Sequence, residues 1–380
     1  MGLPSLLHSL VFLWIVASST FGVGYGQNGT LNLLDFGASG NGVADDTKAF
    51  DTAWKTLCST GQTLNIPAGK TFVVKPLKLE GPCKSSSVVI QIDGNIVGPS
   101  TLGEWQNACA LKCWLCFMSV NGLVIKGKGV IDGKGSIWWN QKTQSIDEAA
   151  NSCEAPTALY FNKCDQLQLS GITSRDSPRV HIFLFRSNGA HISNVHVSAP
   201  EDSPNTDGID VSESSQVTIQ DSVIGTGDDC VAIKGGASFV NVTHVTCGPG
   251  HGFSVGSLGM VPSTADEVHD IYFQNCNCDK TMNCARIKTW MAGAVKVSDI
   301  TFSGFTGSSA SEQAITLNCS DSGCPNILLD HVSLTSGIGK PLRSACYKAT
   351  GKASFTDPPV PCLNSKQNLA PVMAPLPITY

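Results

Sequence analysis

A short motif returns along this chain. An apolar residue is followed by a polar one, then by Gly, Asn, Asp or His, and then in most copies by a second apolar residue. It reads Leu169-Ser-Gly-Ile172, Ile192-Ser-Asn-Val195, Ile219-Gln-Asp-Ser222, Val242-Thr-His-Val245, Val268-His-Asp-Ile271, Val297-Ser-Asp-Ile300 and Leu329-Asp-His-Val332. Successive copies start 23 to 32 residues apart, a period typical of solenoids. Between copies lie short alternating β runs bounded by turn residues. Leucine-rich repeats share the period, but their leucine spacing and helical segments are missing. The pattern predicts an all-β fold, a parallel β-helix legible from about residue 120. Unequal spacing implies loops of different length leaving the coils on one side, where a cleft could form.

Upstream of the repeat the pattern differs. After Leu34-Asp35-Phe36-Gly37-Ala38 and a turn rich in Gly, Asn and Asp, Phe50, Trp54 and Leu57 fall at i, i+4 and i+7. That is one apolar helix stripe, with Asp46 placed to cap its start. A short helix here would plug the open end of the solenoid, covering apolar core and strand edges. Earlier still, Leu6 to Ala17 is apolar apart from His8 and Ser9, and small residues follow to Gly26. The run is too short for a comfortable membrane span and suits a signal-peptide core, although no Lys or Arg precedes it. We read residues 1–26 as a signal peptide, 27–356 as the catalytic β-helix domain and 357–380 as a Pro-rich tail outside the stack.

Composition sharpens this picture. Charged residues make up 14%, glycines number 38, and the net charge is -5. Nothing here suits nucleic-acid binding, and no Lys/Arg-rich run forms a basic tail. All 16 cysteines lie beyond the leader, which fits an oxidising compartment and disulfides. Zinc is the competing reading for Cys113-x-x-Cys116 and for the group Cys276, Cys278 and Cys284. No second pair completes a site at the usual spacing, so disulfides are favoured, with one or two free thiols. Sequons at Asn28, Asn241 and Asn318 agree with a secreted glycoprotein. After removal of the leader no membrane association is expected. A monomer is expected too, because each coil buries the core of its neighbours.

Unusual polar residues concentrate in one stretch: Asn205-Thr-Asp207-Gly, Gly227-Asp228-Asp229-Cys, Gly250-His251-Gly and Arg286-Ile-Lys288. Asp207 precedes Asp228 by 21 residues, and Asp228 precedes His251 by 23. Each step is about one coil, so these side chains should stack at roughly the interstrand spacing of 4.8 Å. Arg286 and Lys288, two apart, point the same way on a strand. Three carboxylates within two coils raise the proton affinity of at least one of them. A protonated acid beside ionised carboxylates is what glycoside hydrolysis needs. For both Asp228 and Asp229 to reach one face, the strand must bulge, which Gly225 and Gly227 permit. Arg286 and Lys288 would attract a carboxylated sugar. Singly, an Asp pair or a Gly-His-Gly is more often structural, since Asp and Asn ladders are common in β-helix turns; together, at coil spacing, they read as a site.

At these residues the sequence resembles the polygalacturonase family, its plant members in particular. The likeness covers nearly the whole mature chain. It rests on Asp35-Phe-Gly-Ala38, Gly127-Lys-Gly-Val-Ile-Asp-Gly133 with Trp138-Trp139, Ser203-Pro-Asn-Thr-Asp-Gly208, Gly225-Thr-Gly-Asp-Asp-Cys230, Cys247-Gly-Pro-Gly-His-Gly252 and Arg286-Ile-Lys-Thr-Trp290. It implies a right-handed, single-stranded β-helix of the pectin-lyase type and an inverting hydrolase of α-1,4-linked galacturonan in pectin that uses no metal or other cofactor, secreted to the cell wall. Asp228 matches the general acid, Asp207 and Asp229 the carboxylates that activate water, and His251 the residue that orients the acid. Arg286 and Lys288 match the substrate-carboxylate pair, and Asn205 a substrate-positioning residue. The resemblance also pairs Cys230 with Cys247 and Cys319 with Cys324.

The chain departs from the family at Asp210, where many relatives carry His, and at Asn318, where many carry Tyr. The run Cys109 to Cys116 is richer in cysteine than usual. Three rival readings stay distinct: a calcium-dependent pectate lyase with an Arg base, a hydrolase of rhamnogalacturonan or xylogalacturonan, and a non-catalytic pectin-binding wall protein.

Overall fold

A computed structural model describes residues 29–139, 153–259, 266–290 and 295–364; the expected signal segment 1–26 lies outside them. The chain winds into a β-helix whose strands pair in parallel, each with its counterpart one coil away. The strands fall into three ladders, one per face. One ladder is the ten-stranded sheet from Leu77–Glu80 to Arg343–Tyr347. The other two merge into a single sheet because the long strand Cys324–Ser336 pairs with Val295–Ser303 and with Thr306–Ser309. The all-β expectation holds: among the described residues one helix, Thr47–Thr60, is longer than two turns.

Period-2 alternation sends every second side chain into the coil interior. Leu31, Leu64, Ile90, Ile125, Leu169 and Ile192 are in register with one another. The same column continues through Ile219, Val242, Phe273, Phe302 and Leu329. All are at most 1% exposed. Burial of each such side chain contributes about 1.5–3 kcal/mol. Phe273 and Phe302 stack face to face at 5.1 Å, as do Phe117 and Phe161.

The third motif position is explained by backbone conformation. Gly171, Asn194, Asp221, His244, Asn275, Gly304 and His331 all have positive φ, between 50° and 77°. They stack in register as one left-handed corner, a conformation that favours Gly, Asn and Asp. Two motif copies were misplaced by sequence alone. Val268-His-Asp270-Ile271 and Val297-Ser-Asp299-Ile300 belong to a second corner, in register with Gln216, Phe239 and Asn326, all also at positive φ. The true equivalents on the first corner are Phe273-Gln-Asn275-Cys276 and Phe302-Ser-Gly304-Phe305. Both corners need the same residue types, so a one-line motif cannot tell them apart. Coils also begin far earlier than residue 120, at Thr30–Asn32.

The helix Thr47–Thr60 buries Phe50, Trp54 and Leu57 against the first coils, as its stripe predicts. Its cap is a correction. Asp46 accepts from the Ser39 and Gly40 amides at 2.6 and 3.2 Å, pinning the preceding turn. Asp45 takes the capping role, accepting from Thr47 N at 3.0 Å. At the other end the packed region runs past residue 356. The last strand ends at Asp357, Val360 and Leu363 are buried, and Cys362 is bonded to Cys346. Residues 365–380 of the expected tail lie outside the described residues.

Disulfides join Cys230 to Cys247 and Cys319 to Cys324, the two pairings the resemblance implied. Cys113 bonds Cys116 and Cys278 bonds Cys284, which disposes of the zinc reading for both groups. Cys58–Cys83 and Cys109–Cys153 complete the set with the pair at the C-terminal end. Cys164 and Cys276 remain as buried free thiols; burial pushes them up to about 11 and about 12.

Candidate active site

The ten-stranded sheet carries the site on its outward face. Three consecutive strands, Ile209–Ser212, Asp229–Ile233 and Gly252–Leu258, stack in parallel, and Ala285–Thr289 follows. The register resolves which residues align. Ile209 pairs with Val231, so Asp207 stands over Asp229, while the His251 amide donates to the Asp228 carbonyl at 2.8 Å. Two adjacent columns result, Asp207 over Asp229 and Asp228 over His251, rather than one.

Local sequence explains how both aspartates of the pair reach the cleft. The ladder slips between Asp229 and Val231, the bulge anticipated from the neighbouring glycines. Gly227 is required there: a Cβ would lie 2.0 Å from the Ser203 carbonyl oxygen. That contact brings the Pro200–Asp207 turn onto the next coil. Ser203 and Thr206 lock the turn, with their hydroxyls 2.7 Å apart, and Thr206 Oγ1 accepts from Gly227 N at 3.0 Å. Asn205, half-buried and at φ 55°, sits in this turn two residues before Asp207.

The carboxylates have distinct surroundings. Asp229 is 1% exposed and accepts from Arg286 Nη2 at 2.5 Å, Ser254 Oγ at 2.7 Å and Lys288 Nζ at 2.7 Å. Burial pushes its pKa up, but Arg286 and Lys288 outweigh this and hold the carboxyl far below the usual range. Asp207 lies at the opposite extreme. Burial, then repulsion from Asp210, raise its pKa well above the usual carboxylate value, and Lys234 only tempers the rise. Asp228 is more open, with 22% of its side chain exposed. Its Oδ1 is 2.8 Å from His251 Nδ1 and accepts from Asp229 N at 2.8 Å. Both contacts are made through the same carboxylate oxygen.

Lys234 and Asp210 were missed as site residues. Lys234 Nζ lies 2.5 Å from Asp210 Oδ2 and 3.7 Å from Asp207 Oδ2. Burial opposes its charge, yet the two carboxylates keep Lys234 protonated above its ordinary range. Strand parity held a signal. Asp210 pairs with Ala232, so Lys234, two beyond, shares the outward face with Arg286 and Lys288. Arg286 and Lys288 lie on this same face, where they hold Asp229.

Ligand atoms of Asp228, Asp229 and His251 lie within 4.8 Å of one another. A metal ion here would have to displace two protein cations from Asp229 and the histidine from Asp228. The donor set therefore suits proton transfer better than metal binding.

Carboxylates, a histidine and paired cations on one face of a parallel β-helix form a donor set suited to cleaving carbohydrate, and the family comparison gives the class as a glycoside hydrolase. The chain belongs to the glycosyl hydrolases family 28, which it matches over residues 58–303 and 291–355. It is 39% identical to a probable polygalacturonase of Arabidopsis thaliana, over 94% of this chain and 84% of that one. An exopolygalacturonase of Zea mays is 36% identical, over 86% of this chain and 89% of that one. Among solved structures, an endo-xylogalacturonan hydrolase of Aspergillus tubingensis superposes with a TM-score of 0.64 at 24% identity, covering 83% of this chain and 98% of that one. At that identity the likeness concerns the fold.

Proposed function

We propose that this protein is a polygalacturonase that hydrolyses the α-1,4 bonds between galacturonate units of pectin with inversion, outside the cell, in plant cell wall remodelling. One observation carries the reading: Asp207 and Asp229, whose proton affinities are driven in opposite directions, share a face with Asp228, Arg286 and Lys288. The names of the relatives support the substrate class.

In this scheme Asp228 gives the proton on Oδ2 to the bridging oxygen as the glycosidic bond breaks. His251 fixes the Asp228 carboxyl through Oδ1. A water on the opposite face of the sugar attacks the anomeric carbon and loses its proton to the Asp207–Asp229 pair. The raised proton affinity of Asp207 suits a base, since a carboxylate pKa nearer the working pH accepts protons more readily. Arg286 and Lys288 bind the substrate carboxylate. As it draws them from Asp229, that carboxylate gains basicity, which couples binding to chemistry. Asn205 positions substrate beside Asp207. No step calls for a metal.

Secretion is supported by seven disulfides joining 14 of the 16 cysteines. Among the described residues no helix is long and apolar enough to cross a membrane. Asn241 is exposed on its strand and open to glycosylation. The self-buried core fits a monomer.

Product analysis on de-esterified polygalacturonate, with and without chelator, tests the assignment. Saturated oligomers of inverted configuration, insensitive to chelator, are expected. Unsaturated, chelator-sensitive products would make the enzyme a lyase, and no turnover by folded protein would make it a binder.

A further inference from the structure

The outward face of the ten-stranded sheet changes character on either side of Asp228. Towards the C-terminal coils it is cationic. Towards the N-terminal coils it is aromatic. Phe183 is in register with Asp210, and Tyr160 with Phe183. Phe185 lies two residues along the same strand and so shares the face. The rings of Tyr160 and Phe183 are 5.5 Å apart, Phe183 and Phe185 6.2 Å, and Tyr160 and Phe185 6.5 Å. All three are half-buried on this outward face, so part of each residue stays open to solvent. Inward neighbours Leu159, Phe161, Ile182 and Leu184 already fill the core, and the fold does not need three further aromatic side chains outside it.

The charge balance differs equally. The two cations that lie over these rings are already held by carboxylates. Arg186 Cζ is 4.7 Å from the Phe185 centroid, and its Nε is 2.6 Å from Glu213. Lys234 Nζ is 5.9 Å from the Phe183 centroid and is bound by Asp210 and Asp207. Around the rings, two cations face three carboxyl groups. Around Asp229, two cations face one carboxylate. A sugar carboxylate entering the aromatic half would be desolvated beside Asp207 and Asp210, and the two cations that lie over the rings are already held by carboxylates. An uncharged unit meets no such penalty, and its C–H face can lie on the rings.

We propose that Tyr160, Phe183 and Phe185 form a stacking subsite for uncharged, methyl-esterified galacturonate units, while the Arg286–Lys288 half of the cleft requires a free carboxylate. This rests on the pectin-hydrolase reading and adds to it a rule for which ester pattern is cut. Every scission would then leave esters next to one of the two new chain ends and not the other.

Two experiments on the full-length secreted protein test it. First, randomly methyl-esterified oligogalacturonides are digested and the fragments sequenced by mass spectrometry. Esters are expected beside one new end only; esters at both ends alike, or at neither, overturn the proposal. Second, binding of partly esterified and fully de-esterified oligomers is compared by calorimetry in an Asp228→Asn background, with and without Phe183→Leu. Loss of the ring should weaken binding of the esterified oligomer about five- to tenfold, as expected for one aromatic contact, and that of the acid oligomer less. Equal loss for both, or none, overturns it. Phe185→Leu serves as the second variant should Phe183→Leu fold poorly. If the wild type cleaves no galacturonan, the hydrolase reading fails while the calorimetry still reports on the subsite.

Discussion

Two ion clusters sit one coil apart on the same sheet face and have inverse composition. In the Asp207 cluster two carboxylates share one cation, Lys234. In the Asp229 cluster two cations, Arg286 and Lys288, share one carboxylate. The carboxyls are similarly buried and in register, yet burial with a like charge drives Asp207 up and paired cations drive Asp229 down. Residue type decides little here; the ratio of charges within each cluster sets the direction in which each carboxyl's proton affinity moves.

The largest test removes the carboxyl that contacts His251 beside the clusters. Asp228→Asn should lower kcat by about 10³-fold or more while the oligogalacturonide Kd stays within a few-fold, since general acid catalysis contributes about 10²–10⁴. Retained turnover would remove Asp228 from the mechanism. Next in size is Arg286→Ala, which leaves a buried carboxylate with one cation. A stability loss of about 3 kcal/mol is expected in denaturant melts at neutral pH. The sign follows from the lowered folded pKa of Asp229: its contribution is present above the unfolded carboxyl value and lost as pH falls through the folded one. The gap between Arg286→Ala and wild type should therefore close in strong acid, and a pH-independent gap would contradict the pairing.

Asp207 carries the opposite sign. Its raised folded pKa means that the protonated form is favoured, and that contribution is lost as pH rises through the raised value. Asp207→Asn should accordingly be inactive yet more stable than wild type at neutral pH, on the order of 1–2 kcal/mol, with the gain vanishing below the unfolded carboxyl pKa. Lys234→Met removes the cation that restrains Asp207. The acid limb of kcat/KM should move to higher pH, and Lys234→Arg should restore most of it; an unmoved limb with only a lower melting temperature would make Lys234 purely structural. Smallest of all, Cys164 and Cys276 should resist alkylation in the folded enzyme and react only on unfolding, because burial keeps both thiols protonated.

Much of the site was legible because its chemistry is local in sequence. Asp207, Asp228, Asp229, His251, Arg286 and Lys288 recur at coil spacing, and the coil spacing is written in the Gly, Asn, Asp and His corners. The Lys234–Asp210 pair was illegible for two reasons. Lys234 sits beyond a run of apolar residues that reads as plain core strand, and Asp210 looked like mere variation. The aromatic group Tyr160, Phe183 and Phe185 was hidden for a like reason, since apolar residues on a strand are normally taken as inward.

By itself the sequence determined the solenoid, the plug helix and the presence of a carboxylate-rich face, since each follows from periodicity or from residue types a corner demands. Only the tertiary structure decided the register that sets Asp207 over Asp229. Nor could the chain alone say which corner each Asp occupies, or which carboxyl each cation holds. Register depends on loop lengths summed over whole coils and on one bulge at Asp229, and a shift of a single residue turns every side chain to the other face.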